Sequence, residues 1–171
     1  LEFSRPVPIR KQPEEVARTI ESIVSFMAPP LQAKRARVSL ELAGADGHCV
    51  YADRNQLEAL FLILLSNALD AVPAEGNIAV RCRPCSAGRI EIQIADNGSG
   101  IAPDDMARIF EPFFSTKGPG KGTGLGLAIA RNIVSEHGGS VRLESAPSRG
   151  TTAFIELPLW QEAPLAGGGK R

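Results

Sequence analysis

The sequence of 171 residues has no net charge, because 19 basic side chains balance 19 acidic ones. A neutral chain argues against nucleic acid or an anionic membrane surface as the main partner. The sequence also lacks the run of roughly 18 apolar residues that a membrane-spanning helix needs, and it contains no internal repeat. Since 43% of the residues are hydrophobic, the composition predicts one globular domain with a core of its own.

Cysteine and histidine are scarce, with three and two residues respectively. Cys82 and Cys85 have the spacing of a redox or zinc pair, but a structural zinc ion needs two further ligands, and His48 and His137 are distant and unpaired. The pair is also expected where a strand ends, without the helix N-terminus that activates a redox thiol. We interpret these two cysteines and Cys49 as incidental reduced side chains, which favours a cytoplasmic location.

Glycine, by contrast, occupies every second position from Gly118 to Gly126, after the segment Phe110–Lys117. Five alternate glycines make a poor helix or strand, because each adds backbone entropy that folding must remove. Residues 125–137 then have the pattern of a helix. A glycine loop before a helix N-terminus presents free N–H groups and the positive end of the helix dipole to an anion. Together with Lys117 and Lys121, this arrangement predicts a phosphate-binding loop.

The spacing excludes the two commonest nucleotide loops. A P-loop around Lys121 would need a glycine at position 115 and a hydroxyl at 122, where the chain has Ser115 and Gly122. A dinucleotide fingerprint would follow a strand directly, and this loop follows a segment rich in phenylalanine. A flexible surface linker is the remaining alternative, which the flanking phenylalanines and apolar helix disfavour.

Hydrophobic periodicity and turn residues predict an α+β fold. The expected architecture is a two-layer sandwich of a mixed, mostly antiparallel sheet with helices on one face. Asp53 is predicted to cap the longest helix. The predicted helices are 13–28, ended by Pro29-Pro30, then 54–72, 103–109 and 125–137; the predicted strands are 38–42, 77–83, 89–96, 140–145 and 151–158.

Two polar side chains are expected on apolar faces. Asn67 lies in the apolar stripe of the long helix, where an unbonded buried amide costs about 1–3 kcal/mol, so it is bonded either to local backbone or to a ligand. Asp96 continues the inward register of Ile90, Ile92 and Ile94 at a strand end, followed by glycines. Its carboxylate either closes its own turn or receives a ligand donor. Thr151 likewise faces the core side.

Five blocks, taken in order, resemble the ATP-binding catalytic domain of sensor histidine kinases, which has the Bergerat ATP-binding fold. The wider superfamily includes type II topoisomerases, a heat-shock chaperone and mismatch-repair ATPases. The resemblance extends over about residues 12–158. The blocks are Leu65–Ala68, Asp96–Ile101, Phe110–Lys117, Gly122–Leu127 and Gly150–Thr151.

The resemblance implies a role for each matched residue. Asn67 would coordinate Mg²⁺, Asp96 would accept a hydrogen bond from the adenine amino group, and residues 110–124 would form a lid over ATP. Backbone N–H groups of residues 122–126 would bind phosphate oxygens. The complete set of implied ATP-binding residues is Asn67, Asp96, Gly98, Gly100, Ile101, Lys117, Lys121, Gly122, Thr123, Gly124, Leu125, Gly126, Leu127 and Thr151.

Two positions depart from the family pattern. Ile63 stands where hydrolysing relatives carry the residue that activates water, and isoleucine cannot be a general base. Efficient hydrolysis of ATP to water is therefore not expected. Asp70 stands where many kinases have a lysine or arginine aimed at phosphate, although a branch of the family shares the Asn-Ala-x-Asp-Ala pattern.

The implied activity is transfer of the γ-phosphate to a histidine on a separate helical dimerisation domain, for relay to a response regulator. Neither His48 nor His137 is placed to be that acceptor. We expect residues 1–11 to be the end of that helical domain or a linker, 12–160 the catalytic domain and 161–171 a flexible tail. This segment would be monomeric, and the parent protein a homodimer. A nucleotide sensor without catalysis and a serine kinase of the anti-sigma type remain alternatives.

Overall fold

A computed structural model describes residues 8–85, 88–117 and 122–161 of the chain. Within these ranges, no helix combines the length and apolar character needed to cross a bilayer. The helices are α1 (Val16–Phe26), α2 (Ala28–Lys34), α3 (Arg54–Ala71), α4 (Pro103–Met106) and α5 (Gly126–Glu136). The strands are β1 (Lys11–Glu15), β2 (Arg37–Glu41), β3 (Cys49–Asp53), β4 (Asn77–Cys85), β5 (Arg89–Asp96), β6 (Ser140–Ser145) and β7 (Thr151–Pro158).

A five-stranded sheet in the order β2-β4-β5-β7-β6 forms one layer, and β1 and β3 form a separate pair. β2 runs parallel to β4, and the other neighbours are antiparallel. Alternate residues of β4, β5 and β7 are buried beneath α3 and α5, and α1 packs against α3. Charged side chains occupy the opposite face, such as the pairs Arg81–Glu41 and Arg83–Glu91. The predicted two-layer α+β architecture is confirmed.

The cap predicted for α3 is present. Asp53 Oδ1 accepts hydrogen bonds from the backbone N–H groups of Asn55 and Gln56, at 3.0 and 3.3 Å. Oδ2 accepts from the N–H of Arg10 at 2.8 Å. Donation by Arg10, followed by Gln56 and Asn55, holds the pKa of Asp53 below its usual value. The cap therefore also fastens the chain just before β1.

The prediction for residues 13–28 is wrong at both ends. Lys11–Glu15 is a strand, because it pairs with β3, placing Pro13 opposite Tyr51, on an edge where proline's missing N–H is tolerated. Pro29 and Pro30 begin α2 instead of ending a helix, since the first helical turn leaves its N–H groups unpaired in any case.

The remaining boundaries need smaller corrections. α4 ends at Met106, short of the predicted 109, and β4 continues to Cys85. β5, β6 and β7 have the predicted ranges, and α3 and α5 agree within a residue at each end. The start of the domain, predicted at residue 12, is preceded by Lys11 in β1. Residues 1–7 and most of the predicted tail lie outside the described residues.

Candidate nucleotide-binding site

A cavity of about 480 Å³ opens between α3, the end of β5, the start of β7 and the N-terminus of α5. This volume is within the usual range for small-molecule sites, about 300–1,000 Å³. Gly98 and Leu125 do not line the cavity, and Lys121 lies outside the described residues. The predicted residues that do line it are Asn67, Asp96, Gly100, Ile101, Lys117, Gly122, Thr123, Gly124, Gly126, Leu127 and Thr151.

Asp96 closes its own turn and also faces the cavity. Its Oδ1 accepts hydrogen bonds from the N–H groups of Gly98 at 2.8 Å and Thr151 at 3.3 Å. Burial raises the pKa of Asp96, and the two donated hydrogen bonds oppose that effect. Within the described residues Oδ2 has no donor. The two explanations left open by the sequence are therefore compatible: one oxygen serves the turn and the other is available to a ligand.

Ser145 does not line the cavity but holds residues that do, and its role was not predicted from the sequence. Its hydroxyl accepts a hydrogen bond from the N–H of Ile101 at 2.9 Å, lies 3.0 Å from the Gly150 carbonyl oxygen and contacts the Thr151 hydroxyl at 2.8 Å. It joins the loop after β5 to the turn between β6 and β7. Ser145 shares the inward-facing register of Val141 and Leu143 on β6, and this register was the only feature of the sequence that indicated its position.

Gly98 and Gly100 have packing reasons to be glycine. A Cβ on Gly98 would stand 2.6 Å from the Ala71 carbonyl oxygen, at the end of α3. Gly100 has a φ of +68°, and its Cβ would meet the Ala146 oxygen at 1.9 Å. These contacts alone explain why both residues are glycine, and their implied part in ATP binding stays a prediction.

Asn67 is partly buried on α3 and lines the cavity, and no hydrogen bond among the described residues includes its amide. The local-backbone alternative is therefore not observed. The N-terminus of α5 lies beside it, since a Cβ on Gly126 would be 4.0 Å from Asn67 Nδ2 and 3.3 Å from Ile63 Cγ2. α5 has no side-chain cap. The first-turn N–H groups of α5 therefore lie close to an unpaired amide, which suits an anion and its counterion.

The backbone N–H of Leu125, in the glycine block, already has a hydrogen-bond acceptor within the chain. Its N–H donates to Thr123 Oγ1 at 3.3 Å. Gly124 has a φ of +67°, and its carbonyl oxygen accepts from the N–H of Phe113 at 2.9 Å. The bond to Phe113 holds Gly124 against the segment before the glycine block, and the bond to Thr123 closes a local turn.

Lys117 reaches the cavity from the opposite wall and is paired with Asp70 of α3. The two side chains are 35% and 55% exposed. Lys117, which was predicted to contribute to phosphate binding, is thus paired with a carboxylate. That carboxylate belongs to Asp70, which departs from the usual kinase pattern.

The two histidines stay outside the cavity lining. His137 is buried, with Nδ1 2.7 Å from the Ile133 carbonyl oxygen, and its Nε2 accepts from the N–H of Asp53 at 3.1 Å. His48 is partly buried near the start of β3.

The cysteines lie on β3 and β4. All three are free, and burial raises the pKa of Cys82 to about 12. Cys85 is only partly buried, at the end of β4. Among the described residues no group of three or more histidine, cysteine or acidic side chains could hold a metal ion.

Residues 52–161, which contribute almost all of this cavity, match the family model described as histidine kinase-, DNA gyrase B-, and HSP90-like ATPase. The chain belongs to this ATPase family. The family predicted from the sequence is therefore confirmed.

The similar proteins include sensor histidine kinases. The sensor histidine kinase ZraS of Klebsiella oxytoca is 37% identical over 160 residues, which cover 93% of this chain and 34% of ZraS. Sporulation kinase E of Bacillus subtilis is 31% identical, with 94% of this chain and 21% of the relative covered. The chain thus spans about a third or less of these curated relatives.

Solved histidine kinases share the fold of this ATPase domain. Full-length ShkA in complex with AMPPNP superposes with a TM-score of 0.78 at 25% identity, covering 93% of this chain and 33% of ShkA. The catalytic domain of ThkA gives 0.77 at 26% identity, covering 87% of this chain and 95% of that domain.

Proposed function

We propose that this ATPase-family domain binds Mg-ATP and donates the γ-phosphate to a histidine on a separate helical dimerisation domain. The observation that supports the proposal is one cavity with two chemically different ends. Asp96 and Thr151 stand at one end, and Asn67 and the N-terminus of α5 stand at the other. A purine and a polyphosphate would need these two environments.

At the first end, the free Oδ2 of Asp96 would accept a hydrogen bond from an adenine amino group. Its orientation is set in advance, because Gly98 and Thr151 hold Oδ1. Thr151 also contacts Ser145, which in turn binds Ile101. A base that binds at this end would meet an acceptor that is already oriented, so binding would lose little further side-chain entropy.

At the second end, Asn67 offers an unpaired amide oxygen for Mg²⁺. One protein oxygen is sufficient there, because Mg²⁺ usually takes most of its six ligands from phosphates and water. When bound, the ion would neutralise charge on the phosphates. The N–H groups at the start of α5, with Lys117 and Lys121, would bind phosphate oxygens and orient the terminal phosphate.

The acceptor is expected to be a histidine and not water. Ile63 contacts the start of α5 and contributes no base that could activate water. His48 and His137 do not line the cavity. The acceptor histidine would therefore come from the rest of the protein or from a partner subunit, and the chain's role would be to position the phosphate.

A response regulator is the proposed final recipient. ThkA, which shares this fold, has been solved in complex with the response regulator protein TrrA at 22% identity to this chain. We also propose that the residues before β1 connect to a helical dimerisation domain, and that the segment is monomeric. Its dependence on ATP and its free cysteines suit the cytoplasm.

A phosphotransfer assay tests this function. The chain is mixed with a purified helical phosphoacceptor domain of a related kinase and with γ-labelled ATP. We expect label on the acceptor that is lost in acid and kept in alkali, as for a phosphohistidine. Replacing the acceptor histidine by glutamine should abolish the label, and Asp96→Asn in the chain should reduce it strongly.

Two results would redirect the proposal. ATP binding without transfer to any supplied acceptor would favour the nucleotide-sensor alternative, which Ile63 keeps open. Label that survives acid would indicate a serine or threonine acceptor, as in the anti-sigma type of kinase.

A further inference from the structure

The pair formed by Asp70 and Lys117 carries an inference beyond the proposed chemistry. Asp70 lies three residues after Asn67 on α3, so both side chains project from neighbouring positions on the same side of the helix. Both line the cavity, and Lys117 Nζ reaches Asp70 Oδ2 from the facing wall. The carboxylate therefore holds the lysine next to the amide that is proposed to bind Mg²⁺.

The two partners stand on different kinds of backbone, Asp70 at an anchored helix end and Lys117 in a local turn. Lys34 Nζ donates to the carbonyl oxygens of Leu69 and Asp70, at 2.6 and 3.2 Å, which fastens the end of α3. The N–H of Lys117 donates to Ser115 Oγ at 3.1 Å. The ion pair thus joins the anchored end of α3 to the turn that contains Lys117.

The pair is also weak enough to be exchanged. With its side chains 35% and 55% exposed, it belongs to the solvent-screened class of ion pairs that contribute little to stability. A triphosphate carries several negative charges and would compete with one carboxylate for the ammonium group. Lys117 can therefore change partners when a polyphosphate enters.

We infer that Asp70 is a positioning residue that holds Lys117 at the phosphate end of the empty cavity and releases it to the phosphates of the bound nucleotide. The inference rests on the proposed function. The exchange moves one ammonium group from a carboxylate to a phosphate oxygen and makes no covalent change. Its consequence is that Asp70 weakens the binding of phosphorylated nucleotides and has no effect on adenosine.

Calorimetric titration of four variants with Mg-ATP and adenosine tests this. Asp70→Asn should tighten Mg-ATP binding about two- to five-fold, as expected for removal of one exposed competing pair, and leave adenosine unchanged. Lys117→Met should weaken Mg-ATP, and adding Asp70→Asn to it should change nothing further. Asp104→Asn, which removes an exposed carboxylate outside the cavity lining, is the charge control.

Three results would overturn the inference. Weaker Mg-ATP binding in Asp70→Asn would make Asp70 a ligand on the metal side. If Asp104→Asn tightened Mg-ATP binding equally, the effect would come from the change in net charge alone. If Asp70→Asn left the affinity for Mg-ATP unchanged, Asp70 would not compete with the phosphates for Lys117.

A measurement without nucleotide separates this inference from the proposed function. Trypsin must take the side chain of Lys117 into its pocket to cleave after it, so cleavage there should be faster in Asp70→Asn than in Asp104→Asn or the native chain. Equal rates would overturn the inference even if ATP binds. Failure of ATP to bind, with faster cleavage in Asp70→Asn, would overturn the proposed function and retain the pair as a structural contact only.

Discussion

His137, the residue that follows α5, accepts a hydrogen bond at Nε2 from the backbone N–H of Asp53, the cap of α3, with 3.1 Å between the nitrogen atoms. The Nδ1 atom lies 2.7 Å from the Ile133 carbonyl oxygen. One imidazole thus joins the ends of the two helices that form the cavity. Because both ring nitrogens are occupied within the fold, the side chain acts as a structural tie.

Replacing His137 should therefore affect stability and not phosphotransfer. His137→Ala leaves the Asp53 N–H without its partner, which we expect to lower the free energy of unfolding by about 1–3 kcal/mol. Urea denaturation measures the loss, and His48→Ala is the matched control. Loss of phosphoryl transfer at a temperature where the variant is fully folded would contradict the structural role.

Gly100 should be far less replaceable than Gly47, although both have positive φ values of +68° and +72°. A Cβ at Gly47 meets nothing within 4 Å, so Gly47→Ala adds only backbone strain, about 1 kcal/mol. At Gly100 the Cβ also meets the Ala146 carbonyl oxygen, and overpacking adds about 1–3 kcal/mol. Urea denaturation of the two alanine variants separates the cost of backbone strain from the cost of overpacking. Equal losses in the free energy of unfolding would show that the contact with Ala146 is relieved without cost.

Asn67 should matter for nucleotide binding and little for folding. Its amide has no partner within the described residues, so Asn67→Ala should change the free energy of unfolding by no more than about 0.5 kcal/mol. Loss of a ligand on the metal–phosphate side should weaken Mg-ATP binding by on the order of 10–100-fold. Calorimetry measures the affinity for Mg-ATP, and Asn55→Ala, at the exposed start of the same helix, is the control. Equal affinities in the two variants would show that Asn67 does not bind the nucleotide or its metal ion.

The carboxylate of Asp96 should reduce the stability of the empty domain at neutral pH. Burial raises its pKa in the folded chain above the unfolded value, so the folded state binds the proton more tightly. Stability then falls as pH rises through the window between the two pKa values. Asp96→Asn keeps an acceptor for Gly98 and Thr151, and should unfold at the same or a higher temperature at pH 7. That advantage should shrink as the pH is lowered towards 4; an advantage that grows would mean that the pKa is lowered.

Much of the fold was predictable because local chemistry and packing agree. The alternation of Ile90, Ile92 and Ile94, and the cap at Asp53, predicted β5 and α3 with nearly correct boundaries. Residues 13–15 were misassigned to a helix because the pairing of β1 with β3, almost 40 residues away, outweighs their helical pattern. A proline such as Pro29 is equally compatible with the end of one helix and with the first turn of the next. The neighbouring sequence does not distinguish these two positions.

The site was predictable where a polar residue violates an apolar register, as at Asn67 and Asp96. Contacts between distant segments were not. Lys117 meets Asp70 across 47 residues, and His137 meets Asp53 across 84. No periodicity reports such a contact. Ser145 had a register signal, but a serine at a strand end is too common to indicate a hub of hydrogen bonds.

The most direct test of nucleotide binding is thermal unfolding of the native chain, Asp96→Asn and Asp104→Asn with and without Mg-ATP. At about 100 times its dissociation constant the nucleotide adds roughly 2.7 kcal/mol, which corresponds to a rise of about 5–11 °C for a domain of this size. We predict this rise in the native chain and in Asp104→Asn, and its loss in Asp96→Asn. An unchanged melting temperature in the native chain, or an equal rise in Asp96→Asn, would contradict the account of the cavity as an ATP site.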